Sequence, residues 1–89
     1  MTGLTAEQVK GKRGIFKYVR MNDGSFRFTP IPNGLEHKQI VPEGMTAISA
    51  GSIAHDISGE VVHIGHGSYT LGIDKSLPDD EAEIRKVLK

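Results

Sequence analysis

Cysteine and tryptophan are absent from these 89 residues, aromatic residues make up only 6%, and no stretch approaches the roughly 20 apolar residues of a membrane-spanning helix. Without cysteine there are no disulfides, no thiolate metal sites and no cysteine nucleophile, which argues against a small secreted scaffold stapled by disulfides. Net charge is missing too: eleven Lys plus Arg balance eleven Asp plus Glu. No global field gathers nucleic acid or an anionic membrane surface, so neither is expected as a partner. Met1 is followed by Thr2, Gly3 and Leu4, with no basic run leading into an apolar one, so no secretory leader is expected and the expected location is cytoplasmic.

A chain of this length holds one domain, since domains span roughly 50 to 200 residues, and its core is thin. A monomer or a homodimer is expected, the dimer relieving the shortage of buried surface. The charge that is present is uneven. Lys10, Lys12, Arg13, Lys17 and Arg20 lie near the front, while Asp79, Asp80, Glu81 and Glu83 crowd one stretch near the end. A local anion site in the basic half is compatible with that distribution.

Residues 1–13 are polar and are read as a flexible N-terminal segment, with 14–89 as a single α+β domain. Thr5 and Gln8 have the spacing of a capping box, so Ala6 to Lys10 predict one short helical turn that lacks an apolar face and frays. IFKYVRM, from Ile15 to Met21, and SFRFTP, from Ser25 to Pro30, are rich in β-branched and aromatic residues and flank Asn22, Asp23 and Gly24, a hairpin signal. Pro32, Asn33 and Gly34 end that hairpin. Leu35 to Val41, stopped by Pro42, reads as either a brief helix or a brief strand. Met45 to Ala54 and Glu60 to Ile64 read as a second hairpin, joined across Asp56, Ile57, Ser58 and Gly59 and placed at the centre of a mainly antiparallel sheet. Ser76 is the expected N-cap of a helix over 77–88 that lays Ile84, Val87 and Leu88 on the sheet.

Four histidines raise the question of a metal, which needs three or four converging N, O or S ligands. His63 and His66, three apart on a strand, are expected on opposite faces, and no second pair has helical spacing, so neither metal nor cofactor is expected. The expected setting of His55, beside Asp56, is a half-exposed ring bonded to a turn; His63 alternates with Val61 and reads as packing. The Gly-rich stretch GHGSYTLG, from Gly65 to Gly72, is no P-loop, since no Lys follows the glycines. Consecutive amides with the Ser68 hydroxyl can still form a nest for a phosphate; a strand-end bulge or turn is the plainer alternative.

From Ser49 to Gly72, SAGSIAHDISGEVVHIGHGSYTLG resembles, without a gap, the signature region of the janus (protein histidine phosphatase) family: a glycine-rich strand, Ile-x-His, a turn, then His, Gly and Ser leading to Gly. The matching positions are Gly51, Ile53, His55, His63, Ser68 and Gly72. FKYV, within Ile15 to Val19, is similar to the family's first strand, whose phosphate-binding lysine falls on Lys17. The catalytic histidine falls on His37 in EHKQI, and the family's arginine after the glycines is here Ser52. The resemblance implies a metal-free hydrolase of phosphohistidine or another phosphoramidate. In it His37 acts as general base or nucleophile, and Lys17, Ser68 and the amides of Tyr69 and Thr70 hold the phosphoryl oxygens. A histidine suits such work because its unperturbed pKa lies near 6.5. The implied partner is a phosphorylated protein or a small phosphate-bearing ligand. Two alternatives share the scaffold: a noncatalytic module binding anions or phosphoproteins, and a small structural or interaction protein.

Overall fold

The structure, a computed structural model, describes residues 3–31, 37–56, 60–67, 71–72 and 76–88, the side chains of Lys38 and His66 excepted. It is an α+β domain. A short helix α1 (Ala6–Val9) leads into β1 (Gly14–Met21) and β2 (Phe26–Pro30). A 3-10 turn (His37–Ile40), β3 (Ala47–His55), β4 (Val61–His66) and α2 (Asp80–Val87) follow. The four strands form one antiparallel sheet in the order β2-β1-β3-β4.

The sheet centre is therefore the β1–β3 pair and not the second hairpin, whose β4 is an outer strand. Burial along β1 gives the reason. Phe16 and Tyr18 bury into one cluster with Ile53, Val61, Ile84 and Leu88, while Val19 and Met21 bury into another with Ile40 and Ala50. A strand covered on both faces takes a central place. α1 and α2 cover the first face; the 3-10 turn, with Val41, Met45 and Leu71, covers the second. This turn settles the ambiguous stretch for residues 37–40, and Leu35 and Glu36 lie outside the described residues.

At the first hairpin the expected turn forms. Gly24 takes a φ of +88°, the left-handed value a side chain would resist, and the Asp23 carboxylate accepts from the Ser25 amide at 2.9 Å. In the second, Ile57, Ser58 and Gly59 lie outside the described residues.

Three local readings need correction. The N-terminal turn forms with its capping box, the Thr5 amide donating to Gln8 Oε1 at 2.8 Å, but it does have an apolar contact. Val9 is fully buried in the main cluster, and Leu4 bridges Phe28, its amide donating to the Phe28 carbonyl at 2.7 Å. One valine docks a turn too short to hold itself. The C-terminal helix starts at Asp80 and not at 77, with Asp79 rather than Ser76 at the N-cap position and no side-chain cap bond. The Leu77 amide is instead drawn to the Ser49 hydroxyl at 2.9 Å, while the Asp80 amide closes a turn on the Leu77 carbonyl at 3.1 Å. Finally, His55 is only 3% exposed, and neither of its ring nitrogens has a hydrogen-bond partner. Its own pairing with Gly14 on one side and Val61 on the other draws it into the sheet rather than leaving it at the turn.

Candidate functional site

Lys17 follows the alternation of Val19 and Met21, so it belongs to the sheet face that the 3-10 turn covers; its cross-strand neighbours are Thr29 on β2 and Ser52 on β3. His37 opens the 3-10 turn, which packs on β1 and β2 through Ile40. The imidazole is nearly buried, at 9% exposure, and its Nε2 lies 2.8 Å from the Gly51 carbonyl of β3. A carbonyl can only accept, so Nε2 carries the proton, and in the neutral ring the lone pair is on Nδ1. Lys17 and His37 thus share one side of the sheet. Ser68, Tyr69 and Thr70, the other expected phosphate ligands, lie outside the described residues.

Gly51 is more than a strand residue. A Cβ there would run into the Gly65 carbonyl of β4 and stand 2.9 Å from the Tyr18 ring and 3.1 Å from His63 Nε2. Only glycine allows β3 and β4 this approach while its carbonyl holds His37. Gly51→Ala is expected to cost about 1–3 kcal/mol, the range for overpacking, because backbone rather than a flexible side chain must give way. A urea midpoint unchanged from wild type would show that β4 shifts freely.

The chain finds no match among protein-family models, curated proteins or solved structures.

On the opposite face, under α2, lies a polar cluster that the sequence did not reveal. Asp80, fully buried, accepts through Oδ2 from the Tyr18 phenol at 2.6 Å, from the Ser49 hydroxyl and from the Leu77 amide at 3.2 Å, and through Oδ1 from Arg20 Nη1 at 3.1 Å. The Arg20 guanidinium also reaches Asp79 at 2.9 Å and lies 5.6 Å from the centre of the Phe26 ring. Since the Tyr18 hydroxyl gives its proton to Asp80, it accepts from His63 Nε2–H, 3.0 Å away. Position 63 therefore does more than pack. A register shift between Ser52 and Ile53 interrupts simple alternation between His63, paired with Ile53, and His66, whose side chain lies outside those described. Among the described residues no group of three or more His, Asp or Glu could hold a metal ion.

Burial, with the hydrogen bond to Asp80 and its charge, holds the Tyr18 phenol above its ordinary value of 10.0. The folded state then keeps a proton that the unfolded chain releases, so this contribution is complete below the ordinary phenol value and is lost as pH rises beyond it. The stability difference between wild type and Tyr18→Phe should be level from pH 6 to 9 and shrink above about pH 10. A difference that grew with alkaline pH in denaturant titrations would contradict the assignment.

Proposed function

We propose that this domain is a metal-free phosphoryl-transfer site of the janus kind, hydrolysing phosphohistidine or a related phosphoramidate, with His37 as general base and Lys17 as the cation for the phosphoryl oxygens. The observation that carries the reading is the 2.8 Å contact of His37 Nε2 with the Gly51 carbonyl. It fixes the ring's orientation and tautomer, as a base needs, and a backbone atom that cannot rotate away supplies the restraint. The placement of Lys17 on the same side of the sheet supports it further, since an ammonium there can offset the charge that develops on the phosphoryl oxygens. Ser68, Tyr69 and Thr70, the phosphate ligands that the resemblance implies, lie outside the described residues, and the titration below reads their part directly. Water attacks phosphorus and gives up a proton to the His37 imidazole, and the P–N bond breaks as the leaving nitrogen takes up a proton in turn, to give inorganic phosphate and the free imidazole or amine, with no change of oxidation state.

One observation favours a second reading. At 9% exposure the His37 ring can brace the β3 backbone without meeting a substrate, as it would in a noncatalytic module that binds anions or phosphoproteins. A two-dimensional amide NMR titration with inorganic phosphate and phosphoramidate, paired with a phosphoramidate hydrolysis assay on the wild type, separates the two. Shifts at Lys17 and 67–70 together with turnover support the hydrolase. The same shifts without turnover support the binding module, and no shifts at millimolar ligand sink both.

A further inference from the structure

β4 is an outer strand, and an outer strand offers its unpaired amides and carbonyls to any other strand of suitable shape. The direction of those groups follows from the pairing. The Asp56 amide donates to the Glu60 carbonyl at 3.1 Å, so in an antiparallel ladder the next pairs, His55 with Val61 and Ile53 with His63, point their β4 backbone groups outward. Two of these outward groups are taken by one helix. The Val61 carbonyl accepts from Arg85 Nε and Nη2 at 3.1 and 2.9 Å, and the His63 amide donates to Glu81 Oε2 at 3.1 Å. Arg85 and Glu81, one helical turn apart, are themselves bridged at 2.9 Å.

We propose that Glu81 and Arg85 form a clasp that keeps the β4 edge closed, and that the occupant it holds off is the β4 edge of a second copy of this chain. The clasp is releasable. Its side chains are 36% and 45% exposed, and exposed pairs of this kind hold weakly against solvent. The choice of a second copy comes from the strand itself. Two β4 strands paired antiparallel about a two-fold axis at His63 set Val62 of each against Ile64 of the other, and these residues, 52% and 49% exposed, are among the most exposed large apolar side chains described. Such pairing would join two four-stranded sheets into one of eight strands once Glu81 and Arg85 withdraw from the β4 backbone.

The test is sedimentation equilibrium on the full chain carrying Glu81→Ala and Arg85→Ala together. Self-association at least about tenfold tighter than wild type is expected, and addition of Val62→Lys, which sets a charge against the apolar pair, should return it to the wild-type level. A folded double variant that associates no more tightly than wild type overturns the proposal. Association that Val62→Lys leaves untouched also overturns it, since another surface would be responsible. If the double variant does not fold, Glu81→Asp, which withdraws the carboxylate by one methylene, has to raise association by itself, and its failure to do so counts equally against the clasp.

Discussion

Asp80→Ala is expected to remove about 3–5 kcal/mol of stability, the range for taking one partner out of a buried charged pair. A small domain has total stability toward the lower end of about 5–15 kcal/mol, so the variant should sit close to unfolding at room temperature. The reason lies in what the substitution strands. Tyr18 and Ser49 would keep their buried hydroxyls without the common acceptor, and Arg20, whose Nε already has no partner, would keep only Asp79 at the surface. α2 would lose the carboxylate that ties its first turn to β1 and β3, leaving Ile84 and Leu88 as its main anchors. Asp80→Asn should cost less, because it preserves volume and one acceptor, though its amide would meet the Arg20 guanidinium donor to donor. Urea unfolding followed by circular dichroism measures both; a loss below about 1 kcal/mol for Asp80→Ala would mean that the cluster rearranges around water rather than depending on the carboxylate.

For His37 the largest effect is expected on activity. If the ring is a general base, His37→Ala should lower phosphoramidate hydrolysis by about 10²–10⁴-fold, the usual contribution of positioned proton transfer. Alanine also deletes the bond to the Gly51 carbonyl, so lost turnover could reflect a disturbed β3. His37→Gln separates the two causes. Its amide can donate to the same carbonyl while offering no base, so it should keep the wild-type melting temperature and lose turnover to the same degree as alanine. Turnover retained in His37→Gln would remove the base role and leave His37 as a brace.

The strands were legible because β-branched and aromatic residues alternate in IFKYVRM and SFRFTP, and the C-terminal helix because Ile84 and Leu88 fall on one face. Their arrangement was less so. Nothing in the local pattern of Glu60 to Ile64 distinguishes an outer from a central strand; the double burial of β1, visible only once both of its faces are filled, decides it. The helix start was misplaced because Ser76 has the right chemistry for a cap, whereas a tertiary contact from Ser49 takes the Leu77 amide. The shared side of Lys17 and His37 follows from alternation and the 3-10 turn. The contact between Tyr18 and Asp80 does not: they are 62 residues apart, and Asp80 sits in an acidic run that reads as a solvated helix start. The available signal was the polar pair Tyr18 and Arg20 alternating with Phe16 on one face of β1, where a core residue would be expected.

His55 bears on motion as well as on packing. Closing the sheet around its ring strips water from two nitrogens and gives nothing back, so any fluctuation that parts the end of β3 from Gly14 and Val61 recovers hydration that no other buried ring described here lacks so completely. Opening at that end is correspondingly cheap, while the Tyr18–Asp80 end resists it. The sheet should breathe from one side, like a book hinged under the start of α2.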